Sequence, residues 1–166
     1  MLWRRHADTG RLNGGLWLNG TLKAEKGIHQ VYLGLGANLG DREQQLREAV
    51  RLIGERVGCV VRQSSFIKTE PWGFESENRF LNAVICCATD HTPREVLELT
   101  QQIERDMGRH KKVNDKSANR KYTDRPIDID ILFYDNLTVD EPDLQIPHPL
   151  MQERDFVMIP LREIYE

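Results

Sequence analysis

The order of periodic segments along the chain predicts an α+β domain. Short runs of alternating apolar or β-branched residues are separated by two longer segments, in which an apolar residue recurs every three to four positions. Together these segments predict strand, helix, strand, strand, helix and strand. This βαββαβ order is typical of ferredoxin-like folds, in which an antiparallel sheet carries both long helices on one face. We expect a short C-terminal strand and helix to be added to this core.

The chain has 166 residues, which is enough for one domain with a substantial core. Residues 1–30 lack sustained periodicity, and we expect them to form an extension outside a single domain of residues 31–166. No stretch is long and apolar enough to predict a transmembrane helix. The cysteines lack metal-ligand spacing and are expected to be buried strand residues of a cytoplasmic protein; they are Cys59, Cys86 and Cys87.

The first strand is predicted over Val31–Gly36 and the first helix from Asp41 to Val57. Asp41 and Gln44 have the spacing of a capping box, and Gly58 suits the end of the helix. The glycines that lead into this helix are Gly34, Gly36 and Gly40. Their G-x-G-x-x-x-G spacing resembles a dinucleotide-binding fingerprint only loosely, so we expect a tight strand-to-helix turn.

The second and third strands are predicted over Cys59–Lys68 and Phe80–Thr89. The third strand is apolar on both faces except for Asn82. An asparagine near the start of a strand commonly caps the local backbone. Here the neighbouring aromatic residues could stack on a flat ring, and Asn82 would then bind the polar edge of that ring.

The second long helix is predicted to begin at Thr92, with Pro93 in its first turn and Glu95 completing a capping box. The apolar residues that follow recur at helical spacing and predict one buried stripe. Gln101 and Glu104 share a face away from that stripe, and we expect both side chains to be solvated.

The stretch Arg125–Phe133 contains the strongest functional signal. Its isoleucines alternate with Asp128 and Asp130, so the two carboxylates share the strand face opposite the core, about 7 Å apart along the strand. Like charges at this spacing repel unless a cation lies between them; the alternative is a solvated edge face. Paired carboxylates suit Mg²⁺, which takes its remaining ligands from water and phosphates. With basic residues on both sides, the pattern predicts a magnesium–phosphate site.

A strongly basic stretch precedes this strand. Residues 109–125 contain seven Lys or Arg and two Asp, a net charge of +5. Because the whole chain has a net charge of −3, the remainder carries −8. A general nucleic-acid binder would have a broader basic surface, so we expect a local anionic ligand and no nucleic acid. A merely solvated run of charge is the alternative.

The C-terminal part of the chain predicts a turn at Tyr134–Asn136 and a short strand at Leu137–Val139. His148 follows between two prolines, which restrict the backbone on both sides of it. A single histidine is more commonly structural, but close to a phosphate-site pattern His148 is a candidate phosphate contact. Residues 154–161 are expected to close the domain as a short helical or extended segment.

Together these motifs resemble the 6-hydroxymethyl-7,8-dihydropterin pyrophosphokinase family. The resemblance covers the chain from about residue 31 onward, and the matching segments are Leu33–Asp41, Ser64–Phe66, Thr69–Gly73, Phe80–Ala83, Arg125–Leu132, Ile146–Pro149 and Arg154–Val157. It implies an ATP-dependent diphosphotransferase that moves a pyrophosphoryl group from ATP to the pterin hydroxymethyl group and releases AMP, in folate biosynthesis. The implied partners are these two small molecules and Mg²⁺, with no membrane and no second subunit.

The same resemblance implies roles for individual residues. Asp128 and Asp130 would bind two Mg²⁺ ions, and Arg109 and Arg125 would complete the catalytic set. The residues expected around ATP are Gln101, Glu104, Arg109, Lys111, Arg125, Ile131, Leu144, His148 and Arg154. Those expected around the pterin are Thr69, Glu70, Trp72, Phe80, Asn82, Asp128 and Phe156, with the Phe156 ring stacked on the substrate.

An alternative from a different class is a ferredoxin-like regulatory module that binds a nucleotide or metal without turnover. The joint presence of Asp128, Asp130, Arg125 and His148 favours the enzyme, because a regulatory module does not need phosphate chemistry at one edge of the sheet. Tyr122 and Pro149 depart from the family pattern without removing an essential group.

Overall fold

The computed structural model describes residues 27–69, 80–108 and 126–165. Its elements are β1 (His29–Ala37), α1 (Arg42–Arg56), β2 (Cys59–Gln63), β3 (Ile67–Thr69), β4 (Phe80–Thr89), α2 (Pro93–Asp106), β5 (Asp128–Tyr134), β6 (Val139–Glu141), β7 (Leu144–Ile146), a 3-10 turn (Met151–Glu153) and α3 (Asp155–Ile164). The predicted βαββαβ order is confirmed, with a hairpin and a helix added after it. The first strand is longer than predicted, because it begins at His29.

The main sheet is antiparallel and has the strand order β2–β4–β1–β5, with β3 paired to the remaining part of β4. This is the strand order of a ferredoxin-like fold, as predicted. The edge strand β5 pairs only with β1 among the described strands. β6 and β7 form a separate two-stranded sheet, in which the strand predicted at Leu137–Val139 lies instead at Val139–Glu141.

The prediction of one strand over Cys59–Lys68 is wrong, because β2 ends at Gln63 and β3 begins at Ile67. At the break, the Ser64 N–H donates to the Val84 carbonyl at 2.9 Å, and the Ser64 Oγ accepts the Val84 N–H at 2.9 Å. A side-chain oxygen thus replaces a backbone carbonyl as the acceptor. The buried Val84 N–H keeps its hydrogen bond although the ladder is interrupted.

Both long helices begin where the sequence predicts. The Asp41 carboxylate accepts the Gln44 N–H at 3.1 Å at the start of α1. At the start of α2, Thr92 and Glu95 form a reciprocal capping box with N–H to oxygen distances of 3.0 and 3.2 Å. In the described segments, no helix is both long and apolar enough to cross a membrane.

The two faces of the main sheet carry cores of different size. The face toward α1 and α2, here called the helical face, has a core that includes Val31, Leu33, Leu35, Leu46, Ile53, Ile85, Cys87, Val96, Ile103, Ile129 and Ile131. The opposite face, here called the α3 face, has a smaller core of Tyr32, Val84, Cys86, Leu132, Met151, Val157, Leu161 and Ile164. This confirms that the long helices share one face. Cys59, by contrast, is exposed, so the expectation of burial is wrong for that cysteine.

A β-bulge in β5 separates an apolar part of the α3 face from a polar part. Tyr32 pairs with Phe133 whereas Leu33 pairs with Ile131, which leaves Leu132 as the extra residue. Leu132 and Phe133 both pack on the α3 face, and Tyr134 returns to the helical face. On the N-terminal side of the bulge, the α3 face of β5 carries the two aspartates.

Candidate active site

Asp128 and Asp130 lie on the α3 face at the start of β5. Their neighbours Ile127, Ile129 and Ile131 are buried in the helical-face core, so the predicted alternation is confirmed. Both aspartates are half-buried. Their carboxylates are therefore partly shielded from water, which strengthens their electrostatic interactions, and they remain within reach of a ligand.

Two glycines of β1 lie beside these aspartates. Gly36 pairs with Asp128 and Gly34 pairs with Asp130, so β1 presents no side chain to the α3 face at these two positions. Gly36 also pairs with Asn82 of β4 on its other side. A row therefore runs across three strands, with a carboxylate at one end, an amide at the other and bare backbone between them.

The space above Gly36 is already used by its neighbours. A Cβ at this position would lie 2.8 Å from the Asn82 Oδ1 and 3.4 Å from the Phe80 Cδ1. Gly34 and Gly36 lie inside β1, as the predicted strand Val31–Gly36 requires, and Gly40, with a φ of 62°, lies in the turn before α1. Glycine in a strand interior commonly marks a close approach of another group, and this signal could have identified both positions from the sequence.

His148 lies on the segment that follows β7, and its N–H donates to the Leu132 carbonyl of β5 at 3.1 Å. The Leu150 N–H donates to the His148 Nδ1 at 3.3 Å. Nδ1 is thus an acceptor, and the neutral ring carries its proton on Nε2. Burial lowers the pKa of His148, the charge of Arg154 lowers it further, and the Asp128 carboxylate acts in the opposite direction. His148, Arg154 and Asp128 therefore share one electrostatic environment.

Arg154 immediately precedes α3 and is only 6% exposed. Its N–H donates to the Met151 carbonyl at 3.2 Å, which attaches it to the 3-10 turn. Its guanidinium carbon lies 5.6 Å from the centroid of the Phe156 ring, a cation–π contact. Phe156 is half-buried in the first turn of α3 and packs against the α3-face core. A nearly buried guanidinium beside an aromatic ring can bind an anion strongly.

Glu104 differs from the prediction. Its side chain was expected to be solvated, but it is only 6% exposed, and its Oε2 accepts the Ile129 N–H at 3.2 Å. Among the described strands, none lies on the outer side of β5, and Glu104 satisfies the Ile129 N–H there, between the two aspartates. Gln101 is exposed, as expected.

The remaining candidate residues are distributed over several parts of the chain. Ile131 and Leu144 are buried in the helical-face core. Phe80 is half-buried, and Thr69 pairs with it through the backbone of β3. Five candidates lie outside the described residues, and their roles stay predictions: Glu70, Trp72, Arg109, Lys111 and Arg125.

The donor set suits one class of metal. Among the described residues, no three His, Cys, Asp or Glu side chains form a group that could hold a metal ion. The pair Asp128 and Asp130 therefore offers two carboxylates. Mg²⁺ is usually held by one or two carboxylates together with water and substrate phosphates, whereas structural zinc requires four protein ligands. The pair fits Mg²⁺ that arrives with a phosphate ligand.

Several known proteins are similar to this chain over most of its length. The sequence profile of the family described as 7,8-dihydro-6-hydroxymethylpterin-pyrophosphokinase (HPPK) matches residues 32–166. The 2-amino-4-hydroxy-6-hydroxymethyldihydropteridine pyrophosphokinase of Porphyromonas gingivalis is 47% identical over 135 residues, which is 81% of this chain and 89% of that protein. The protein of the same name from Bacillus subtilis is 41% identical over 135 residues, 81% of this chain and 77% of that protein.

Solved structures show the same fold. Wild-type Plasmodium falciparum HPPK-DHPS with pteroate matches with a TM-score of 0.61 at 16% identity, over 81% of this chain and 38% of that chain. This chain thus spans well under half of that protein. This likeness shows the fold, whereas the match to residues 32–166 and the two bacterial relatives show the family. The chain belongs to the 7,8-dihydro-6-hydroxymethylpterin-pyrophosphokinase family.

Proposed function

We propose that this chain transfers a pyrophosphoryl group from ATP to 6-hydroxymethyl-7,8-dihydropterin and releases AMP, in folate biosynthesis. The observation that carries the proposal is the row of Asp128, Gly36 and Asn82 across the α3 face. Adjacent strands lie about 4.8 Å apart, so the row spans about 10 Å. This length suits a bicyclic ring whose polar edge binds Asn82 and whose hydroxymethyl arm reaches toward the aspartates.

Asp128 and Asp130 are proposed to hold two Mg²⁺ ions together with the phosphates of ATP. Bound there, the metal would neutralise phosphate charge and orient the phosphate chain. The protein contributes the geometry, because β5 fixes both carboxylates on one face and the Glu104 carboxylate holds the backbone of Ile129 between them.

His148 and Arg154 are proposed phosphate contacts of different kinds. Arg154 supplies a permanent positive charge, and neutral His148 supplies its Nε2–H as a donor. In the reaction, the pterin hydroxyl oxygen bonds to the β-phosphorus, and the bond from that phosphorus to the oxygen bridging the α-phosphorus breaks. AMP leaves with that oxygen, and the hydroxyl proton is released. Phosphoryl chemistry of this kind is accelerated mainly by positioning and charge stabilisation.

The pterin slot is proposed to lie beside Gly36, against the Asn82 and Phe80 side chains that cover it. Phe156 would stack on the ring from the α3 side, and Asn82 would bind its polar edge. Phe80 is beside Gly36, with an aromatic carbon 3.4 Å from the position of a Cβ there. Thr69, Glu70 and Trp72 are proposed to complete the slot because of the resemblance in sequence.

The proposed ATP site draws on further residues. On the same resemblance, it includes Gln101, Glu104, Arg109, Lys111, Arg125, Ile131 and Leu144. A non-catalytic binding module is not favoured, since the relatives are named as pyrophosphokinases. We also propose that the protein works as a monomer in the cytoplasm, where the free thiols of Cys59, Cys86 and Cys87 suit a reducing compartment.

The test is an assay of AMP formation by the full chain. We expect AMP to form only when ATP, Mg²⁺ and the hydroxymethyl dihydropterin are all present, in equal amount to a pterin diphosphate identified by mass spectrometry. Chelation of the metal with EDTA should stop the reaction. AMP formation without the pterin would indicate hydrolysis, and ligand binding without AMP would indicate a binding module; either result would overturn the proposal.

A further inference from the structure

The segment Ser64–Phe66 belongs to the family resemblance but lies outside the proposed catalytic and ligand-binding residues. Its two serines bond to the two elements that border the proposed pterin slot. We propose that Ser65 and Glu163, with Ser64 as their anchor on the sheet, are positioning residues that fix α3 over β4 and thereby set the affinity for the pterin. The inference rests on the proposed function of the slot and extends it to residues outside it.

Ser64 connects the segment to β4. It exchanges two hydrogen bonds with the backbone of Val84, both at 2.9 Å. Val84 lies two residues after Asn82 on the same strand, so both face the α3 side, about 7 Å apart. Since Ser64 is buried, these bonds are shielded from water, and the serine segment keeps a fixed position relative to Asn82.

Ser65 connects the same segment to α3. Its N–H donates to the Glu163 Oε1 at 2.9 Å, and its hydroxyl donates to the Glu163 Oε2 at 2.7 Å. These bonds lower the pKa of Glu163, so the carboxylate is an ionised acceptor at neutral pH. Glu163 lies seven residues after Phe156 in α3, about two turns or 10 Å along the helix axis. The C-terminal end of α3, the helix that carries Phe156 in its first turn, is therefore held by two hydrogen bonds from Ser65.

The rest of the contact between α3 and the sheet is apolar. Val157, Leu161 and Ile164 belong to the same core as Val84 and Cys86. Apolar contacts are non-directional, so they hold the helix against the sheet but resist sliding only weakly. Directional bonds to the Glu163 carboxylate supply the missing constraint, and through the helix they fix the distance from the Phe156 ring to Asn82.

Arg154 has an attachment of its own. Its N–H bonds to the Met151 carbonyl in the 3-10 turn that precedes α3. If α3 slides along the sheet, Phe156 moves with the helix, whereas Arg154 stays bonded to the 3-10 turn. Loss of the contact between Ser65 and Glu163 should therefore weaken pterin binding and spare ATP binding.

The experiment compares variants of the full chain by calorimetry with two probes. In the first titration, the hydroxymethyl dihydropterin is added in the presence of saturating Mg²⁺ and an ATP analogue that has a methylene bridge between the α- and β-phosphates. In the second, this analogue is titrated alone. Glu163→Ala removes both acceptors, and Ser65→Ala removes the hydroxyl alone. Ser65→Thr keeps both donors and serves as the rescue. Arg162→Ala is the matched control, because Arg162 is exposed on the same helix and precedes Glu163.

We expect Glu163→Ala to raise the pterin dissociation constant about fivefold, because the lost hydrogen bonds go to a charged group but are exposed to solvent. The dissociation constant of the ATP analogue should stay within about twofold. Ser65→Ala should raise the pterin dissociation constant by a smaller factor, and Ser65→Thr should keep it at the wild-type value. The double variant Ser65→Ala/Glu163→Ala should bind the pterin as strongly as Glu163→Ala does, because both substitutions remove the same interaction.

Two results would overturn the inference. One is unchanged pterin binding in folded Glu163→Ala; the other is equal weakening of both ligands with no rescue by Ser65→Thr, which would indicate general destabilisation. The proposed function is judged separately, by pterin-dependent AMP formation in the wild-type protein. If the wild type is active and the Ser65 and Glu163 variants bind the pterin as strongly as the wild type does, only this inference fails.

Discussion

The helical face and the α3 face of the main sheet are built from the same strands, yet they differ in what their residues do. On β1, the helical face receives Val31, Leu33, Leu35 and Ala37, all buried. The α3 face receives Tyr32, then Gly34 and Gly36 beside the aspartates. Because side chains alternate along a strand, one segment can build a closed core on one side and an open polar site on the other.

This comparison implies that stability and activity can be separated by substituting adjacent residues. The helical face is closed by two long helices, so a cavity made there cannot be relieved by solvent. The α3 face is covered by α3 over its apolar part, where Tyr32, Val84 and Leu132 lie. Substitutions on the two faces test this separation.

The largest effect is expected from the aspartates. Asp128→Ala and Asp130→Ala should each lower AMP formation by at least about a hundredfold, since each removes a proposed metal ligand. The melting temperature measured without Mg²⁺ should be unchanged or higher, because removal of one carboxylate relieves repulsion between the pair. Asp90→Asn, at an exposed site after β4, is the control. Near-wild-type turnover in either alanine variant would show that the metal assignment is wrong.

Ile129, which lies between the two aspartates on β5, should behave in the opposite way. It is 6% exposed in the helical-face core, and Ile129→Ala should lower the free energy of unfolding by about 2–5 kcal/mol through the cavity it leaves. The remaining folded protein should keep its metal-dependent turnover when assayed well below its melting temperature. Urea denaturation and the AMP assay measure the two quantities. A variant that is stable but inactive would contradict the division between the faces.

The sequence predicts the parts of this division that depend on local pattern. The alternation of isoleucine and aspartate in β5, the capping box of Thr92 and Glu95, and the βαββαβ order of elements are all confirmed. Sequence reasoning failed where a residue's environment is set by a distant partner. Glu104 is buried because the Ile129 N–H lies at the open edge of β5, 25 positions away.

The break between β2 and β3 has the same origin. Ser65 leaves the strand ladder where it bonds to Glu163, which is 98 positions away. Neither contact has a periodic signature, because both depend on how elements pack in three dimensions. The glycines are an intermediate case: Gly34 and Gly36 were visible in the sequence, but their role depends on which residues pair with them.

A smaller effect is expected at these glycines, and it depends on their position on the α3 face. Gly36→Ala should weaken pterin binding by about 1–2 kcal/mol, because the new Cβ would displace the Asn82 amide from its place over β1. Gly34→Ala is the matched control, since its Cβ would meet Leu132 at 3.5 Å, an ordinary contact. Calorimetry with the pterin measures both. Equal losses in the two variants would mean that the slot does not lie beside Gly36.

The smallest effect concerns the charge of His148. Its pKa is lowered by burial and by Arg154, with Asp128 opposing, so the unfolded chain takes up this proton at a higher pH than the folded chain does. The stability contributed by neutral His148 is then fully present above the ordinary histidine pKa of about 6.5 and declines as the pH falls below it. His148→Gln does not titrate, so in Mg²⁺-free buffer the wild-type free energy of unfolding should fall relative to this variant from pH 7.5 to 5.5.

NMR titration of the imidazole C–H signals gives the pKa of His148 directly. A pKa at or above 6.5 would contradict a neutral Nε2–H donor and make His148 an imidazolium partner of the phosphates.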